Sequence, residues 1–315
     1  MKPRFDVTIA GELNLDLILY GLPDELTPER ELLAENMALT LGSSSAIVAH
    51  NLASLGCKVG FRSLIGEDQL GQIALERLRL SGVDTSLVKK TKSAGTGLSV
   101  ILQRDTWRNI LTYSGAISRL RLCDLDLEYL CSARHFHLSS YYLQSQLRPD
   151  VPELFKQLKS AGLTISLDTN DDPEGHFAGE IHKALEFVDI FLPNQREACL
   201  IAGTDDLEAA LKKLVAMVPL LVVKAGPRGA MAIRGQERVE SPALNVKVVD
   251  PVGAGDSFDA GFLHAYLNGC SLADCLAMGN VAGALCATRA GGTEAFADRD
   301  YREEFLRKYA PAVHS

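Results

Sequence analysis

Asp256 is the residue hardest to explain by packing. It ends a Gly253-Ala254-Gly255 turn between the strand-like run NVKVV and an apolar helical run. Glycines at 253 and 255 let backbone N–H groups approach an anion with no side chain in the way, and the helix that follows turns its positive end to the same point. A carboxylate there repels phosphate unless its task is to take a proton from an attacking hydroxyl. An amide-lined anion turn beside a base is the equipment of phosphoryl transfer to an alcohol. The bare GxGD string has a plainer reading, an Asp cap on a glycine turn, because short glycine motifs match by chance.

Context changes that reading. The whole string from Val249 to Phe262, late in the chain and followed by GFLHAYLNG, resembles the C-terminal signature of the PfkB, or ribokinase-like, carbohydrate kinase family. Other segments match the family in order over nearly the whole chain. The resemblance implies ATP and Mg2+ as phosphoryl donor, Asp256 as catalytic base, and the amides of Gly253, Ala254 and Gly255 as an anion hole. Leu192-Pro-Asn194-Gln-Arg-Glu197 is similar to the family's NxxE motif, which implies water-mediated placement of the magnesium-bound phosphates. From the residues alone it is an Asn cap answered by a Glu three positions on.

The segment Val222 to Ala230 resembles the strand and turn beside the nucleotide, which implies Lys224, Gly226 and Gly229 there. Lys224 stands where many members carry Thr or Ser, and Arg228 either reaches phosphate or points into water. Gly279-Asn280 and the run VAGALCATRAGG look like the helix whose Asn lies near adenine and the loop that helps bind a monovalent cation. Asn280 is thereby implied for the nucleotide, and Asp250 and Gly291 for a cation such as K+. On the acceptor side Asp16 matches an aspartate that hydrogen-bonds sugar hydroxyls, a role suited to an acceptor-only group; the alternative is an Asp at the root of a solvent-exposed turn. Gly42-Ser43 replaces the family's Gly-Gly pair, and Ile47 takes the place of a sugar-touching Asn. Asp168-Thr-Asn170 is similar to the DxN segment, with Asp171-Asp172-Pro173 where an arginine commonly follows, so an acidic acceptor such as a keto-deoxy sugar acid is less attractive.

These residues need elements to position them. FDVTIAG (5 to 11) reads as a first strand ending at the acceptor segment, LGSSSAIVAHNLASLG (41 to 56) as a helix with serine caps, and VGFRSLIG (59 to 66) as a strand before an amphipathic helix. Residues 96 to 115 change period and predict a hairpin, paired with the segment from Asp16 to Thr40. After residue 120 strands at ARHFHLS, LTISLDTN, FVDIFLPN and PLLVVKAG alternate with helices near 124 to 131, 150 to 161, 176 to 186 and from Arg196. A hairpin at GAMAIRGQERVE and three helical stretches close the chain. The expected fold is α/β: a three-layer α/β/α sandwich on a mainly parallel sheet, the ribokinase-like arrangement. The core is 1–15, 41–95 and 117–315, and 16–40 with 96–116 form a small β lid.

The 315 residues, 47% hydrophobic and 23% charged, suffice for a large core. A net charge of -8 gives no diffuse field for nucleic acid or an anionic membrane, so a phosphate must be held locally. Seven cysteines without a close CxxC pair are expected reduced and buried, and the lack of an apolar leader or spanning run makes a cytoplasmic location the default. His135 and His137 read as core or strand-edge histidines, and Trp107 as a ligand cover or a turn aromatic. A sugar is the first acceptor considered and a nucleoside the second, with a homodimer through the lid. A retired sugar sensor and a dinucleotide oxidoreductase are the rivals; the first is opposed by the intact GAGD, the second by the absence of G-x-G-x-x-G after the first strand.

Overall fold

The computed structural model describes residues 3–23, 25–104, 108–177 and 180–311. Trp107 lies outside them. Fourteen strands and eleven α-helices are described, and each βα pair turns the apolar face of its helix onto the sheet. The main sheet comprises β1 (Phe5–Ala10), β4 (Val59–Arg62), β9 (Ala133–Leu138), β10 (Thr164–Leu167), β11 (Ile190–Phe191), β12 (Leu220–Lys224), β13 (Ala230–Arg234) and β14 (Glu237–Ser241). Their order is β14-β13-β12-β11-β10-β9-β1-β4, parallel from β4 to β12 and antiparallel through β13 and β14.

Helices cover both faces. On one side α4 (Val151–Ser160), α5 (Ile181–Leu185), α6 (Gln195–Ala202) and α7 (Leu207–Leu214) pack on Phe136, Leu138, Ile165 and Leu167. On the other α1 (Ser44–Ser54), α2 (Gln69–Leu80), α8 (Ala254–Leu267) and α9 (Leu272–Ala287) pack on Val7, Ile9, Leu220 and Val222. The short α3 (Leu127–Leu130) precedes β9, and α10 (Glu294–Ala297) with α11 (Arg299–Tyr309) ends the described chain. Phe136, Phe155 and Phe262 are fully buried, each contributing about 1.5 to 3 kcal/mol by removal from water. This is the expected α/β sandwich.

A second sheet stands apart. Strands β2 (Leu15–Tyr20), β3 (Asn36–Leu41), β7 (Leu98–Gln103) and β8 (Arg108–Tyr113) pair in the order β3-β2-β7-β8. Alternation gives it two faces. Asp16, Ile18, Tyr20, Ser99 and Ile101 share one, and Ile18 and Ile101 pack there on Val252. Three details depart from expectation. The single strand foreseen at 59 to 66 breaks at Ser63, whose carbonyl accepts from Lys89 N–H, and β5 (Leu64–Gly66) pairs instead with β6 (Lys89–Thr91). The helix foreseen from 176 begins at Ile181, because the Asp172 carboxylate accepts from the N–H groups of Glu174, His176 and Phe177 and holds a turn. All seven cysteines are unpaired, yet only Cys275 and Cys286 are buried and Cys123, in a one-turn 3-10 segment, is exposed.

Helix α8 carries the catalytic candidates, and its position is set by close contact with α9. A Cβ on Gly261 would lie 2.5 Å from Ala282 Cβ and 2.6 Å from Met278 O. Gly261→Val is therefore expected to lower stability by about 2 kcal/mol through overpacking. A urea midpoint equal to wild type would show that this contact does not fix the helix.

Candidate active site

Strand parity brings charge to one place. Thr164 and Ser166 are in register with His135 and His137, so these four share the face of β9 and β10 that α8 covers. Both histidines are fully buried and bonded to hydroxyls, His135 to Thr164 and Ser166, His137 to Ser166 and Ser139. Burial pushes their pKa values down to about 3 and about 4, so they are neutral core histidines as expected. Two residues beyond Ser166 the same parity delivers Asp168, and two beyond Val222 it delivers Lys224. Lys224 Nζ lies 2.7 Å from Asp168 Oδ2 and 3.1 Å from Asp259 Oδ2 on α8.

This buried cluster has more carboxylates than cations. Burial alone would lower the Lys224 pKa, but Asp168, Asp259 and Glu197 raise it above its ordinary value and keep it charged. Against the upward push of burial, Lys224 holds Asp168 below the usual carboxylate range. Asp259 goes the other way, raised by burial in spite of Lys224 and with Asp168 adding to the rise. The closer Lys224 contact to Asp168 fits that division, lowering Asp168 more than Asp259.

Asp256 sits at the edge of the cluster, in the first turn of α8 behind Gly253, whose φ is 75°. A side chain at 253 is excluded, since a Cβ would lie 2.5 Å from Gly292 Cα. Burial and then the Asp168 charge push the Asp256 pKa up to about 6, opposed by Lys224 and by hydrogen bonds from Ser44 and Asn170. Asn170 Nδ2 is 3.4 Å from Asp256 Oδ1 and 2.8 Å from Ser44 Oγ, while its Oδ1 accepts from Ser140 N–H. A carboxylate so placed takes up protons near neutrality, and it belongs to the first turn of a helix, next to its N-terminal amides.

Asp16 lies on the inner face of the small sheet, 6% exposed, with its pKa pushed up to about 7 by burial and by the charge of Asp256. Gly42 makes room for it: a Cβ there would meet Asp16 Oδ1 at 2.1 Å. Ser43 caps α1 by accepting from Ala46 N–H and donates to Glu12 O. The Glu12 carboxylate then accepts from Ser45 N–H and Ser45 Oγ–H, tying the acceptor segment to the head of α1. Sequence reading missed this role of Glu12; its only signal was a Glu at the carboxyl end of β1. Ile47 is buried, and its Cδ1 would lie 3.3 Å from a Cβ on Gly253.

Beside the α8 terminus a cavity of about 420 Å³ is lined by Lys224, Gly226, Gly229, Ala254, Gly255 and Asn280, with Leu244, Val246, Ala284 and Ala287 as apolar wall. Nothing lies within 4 Å of a Cβ built on Gly226, and for Gly255 only Lys224 Nζ at 3.9 Å, so both backbones are open to a ligand. Apolar wall, exposed amides and an ammonium fit a nucleotide. Asn280 lines it with its amide already bonded to Ser241 and Pro242. Asn194 and Glu197 do not line it. They form the reciprocal cap of α6, each accepting the other's backbone N–H, and burial with Asp168 pushes Glu197 up to about 7. Arg228 bonds Gln195 on the surface. Asp250 and Gly291 meet each other, Gly291 N–H donating to Asp250 Oδ2 at 3.0 Å. Among the described residues no three His, Cys, Asp or Glu side chains are grouped to hold a metal ion.

A sequence profile of the pfkB family of carbohydrate kinases matches residues 4–299. The chain belongs to that family. It is a phosphotransferase with an alcohol group as acceptor. The kinase is 29% identical over 282 residues to 2-dehydro-3-deoxygluconokinase of Bacillus subtilis, 84% of this chain and 86% of that one. It is 27% identical to ribokinase of Haemophilus influenzae, covering 96% and 99%. A putative ribokinase II from E. coli, solved with ATP and Mg2+, superposes with a TM-score of 0.84 at 25% identity, covering 96% of this chain and 99% of that one. ATP and Mg2+ are expected of the family. No described helix is long and apolar enough to cross a membrane.

The raised pKa of Asp256 has a sign in stability. Below pH 4 folded and unfolded chains both hold the proton; between about 4 and 6 only the folded chain does, so stability falls as pH rises through that window. Asp256→Asn is expected to melt higher than wild type above pH 6, by the equivalent of about 1 to 3 kcal/mol, with the gap closing below pH 4. A variant less stable at pH 7.5 would contradict the assignment.

Proposed function

We propose that the kinase transfers the γ-phosphoryl group of Mg-ATP to a hydroxyl of a sugar or sugar-like small molecule, with Asp256 as general base. The observation that carries this reading is the Asp256 carboxylate, buried with a pKa near 6 beside the amides of the α8 terminus. The acceptor lies between the small sheet and the main sheet. Asp16 and Asn170 receive and position its hydroxyls, Gly42 leaves the space Asp16 occupies, and Ser43 holds the head of α1 in register with them.

The nucleotide takes the cavity along Gly226, Gly229 and Asn280, with its base against the apolar wall and its γ-phosphoryl at Gly253, Ala254 and Gly255. A bound Mg2+ would supply positive charge to the phosphates, and Asn194 and Glu197 would hold it through water. Asp256 accepts the hydroxyl proton as the alcohol oxygen attacks phosphorus; the bond from phosphorus to the β,γ-bridging oxygen breaks, and the amide dipoles meet the charge on the transferring group. Lys224, fixed beneath Gly255 by Asp168 and Asp259, adds a positive charge at the same point. The small sheet is the lid that keeps water from the phosphoryl group.

The outer face of that sheet supports a homodimer. Leu17, Leu19, Leu39, Val100 and Leu102 lie on it with Met37, Leu111 and Tyr113, of which the last three are 57%, 59% and 59% exposed. A contiguous uncharged face of this kind is covered in a stable protein, and a second copy offers the matching surface. Leu111→Arg is expected to convert the dimer to a monomer in light scattering; wild type that is already monomeric at micromolar concentration removes the interface.

Two outcomes test the chemistry. Asp256→Asn should bind ATP and lose turnover by about 10² to 10⁴-fold, and activity within a few-fold of wild type would refute the base. A screen of sugars and nucleosides with an ATP-consumption readout should give turnover with a sugar; turnover with nucleosides alone would move the acceptor class.

A further inference from the structure

The loop that the family resemblance assigns to a monovalent cation is filled by the chain's own donors. A bound cation needs several oxygens with free lone pairs converging on one point. Asp250, fully buried, has Oδ1 accepting from Val252 N–H at 2.9 Å and Oδ2 accepting from Gly291 N–H at 3.0 Å and from the Tyr20 hydroxyl at 2.9 Å. Neighbouring carbonyls are likewise engaged. Ala287 O accepts from Val249 N–H at 2.8 Å, and Gly292 O from Asn51 Nδ2 at 3.0 Å. Three carbonyls surround a single thiol: Cys286 Sγ is 3.3 Å from Val252 O, 3.7 Å from Gly291 O and 3.6 Å from Gly292 O.

The oxygens present therefore do not fit an added ion. The geometry points to Tyr20 and Cys286 as built-in replacements for the monovalent cation, so that phosphoryl transfer by this kinase needs no K+. The Tyr20 hydroxyl and the backbone amides meet the Asp250 carboxylate, and the thiol stands where the carbonyls converge. Tyr20 comes from the small sheet, on the same face as Asp16, and packs with Ile18, Ile101 and Val252. Its hydrogen bond thus ties the acceptor-binding strand to the stretch Asp250 to Gly253 that leads into the anion turn. Tyr20 acts through Asp250 and is a positioning residue.

The inference rests on the kinase reading, and the test separates the two. Wild type, Tyr20→Phe and Tyr20→Phe/Cys286→Ala are melted and assayed at one ionic strength in KCl, NaCl or choline chloride. Wild type is expected to show one melting midpoint and rates within about twofold across the salts. Tyr20→Phe should lose about tenfold in kcat/KM in choline chloride, the effect of one hydrogen bond to a charged group, and KCl should restore it. The double variant, with the hydroxyl gone from Oδ2 and the thiol gone from between the three carbonyls, should melt higher in KCl than in choline chloride. A wild-type midpoint raised by KCl, or tenfold activation of wild type by K+, overturns the inference, as does a Tyr20→Phe loss that no salt restores. If wild type turns over no acceptor in any salt, the kinase reading fails, and the wild-type and double-variant melting midpoints still decide the cation question.

Discussion

One ammonium between two carboxylates organises the candidate active site. Lys224, Asp168 and Asp259 come from β12, the end of β10 and the second turn of α8, and all are inaccessible or nearly so. Removing charges from water costs several kcal/mol per ion, which a single ammonium repays only with close contacts. Burial, with the Asp168 charge adding to it, raises the pKa of Asp259 and lifts that of Asp256 to about 6. The excess of carboxylates over cations opposes bare ATP. The proposed donor, a nucleotide with its phosphates neutralised by a divalent cation, suits such a site, and amide dipoles supply attraction that a carboxylate-rich pocket lacks.

The side of the candidate site nearest the small sheet depends on a different constraint, the close approach of backbones. Gly42 lets the Asp16 carboxylate lie against the chain, Gly253 lets the loop before α8 touch Gly292, and Gly261 lets α8 meet α9. Glu12 locks the head of α1 beside them through Ser45. Asp16 and Asp256 are both buried, and burial followed by the Asp256 charge raises the Asp16 pKa to about 7.

Much of this was legible in the chain. Alternation and glycine stops gave the strands, the period change at 96 to 115 gave the second sheet, and the GAGD turn gave the head of α8. Long-range register was not legible: nothing local says that β10 and β12 present Asp168 and Lys224 to the same face, so the ion cluster and Asp259's part in it went unseen. Lys224 was placed at the nucleotide, where it does line the cavity, but its carboxylate partners were not foreseen. Asn194 and Glu197 carry both meanings, since the cap they form is local and any phosphate role is not. Tyr20 had no signal, because its partner Asp250 is 230 residues away. The helix foreseen at 176 failed for a local reason, a carboxylate that competes for backbone N–H groups.

The pH dependence of kcat/KM in wild type and Lys224→Met, with the acceptor from the screen, tests the charge cluster most directly. The wild-type rate should rise with pH through about 6 and level off above. Removing the ammonium that holds Asp256 down should move this limb to higher pH. A flat profile between pH 5 and 8, or a limb that moves lower in Lys224→Met, would contradict the account.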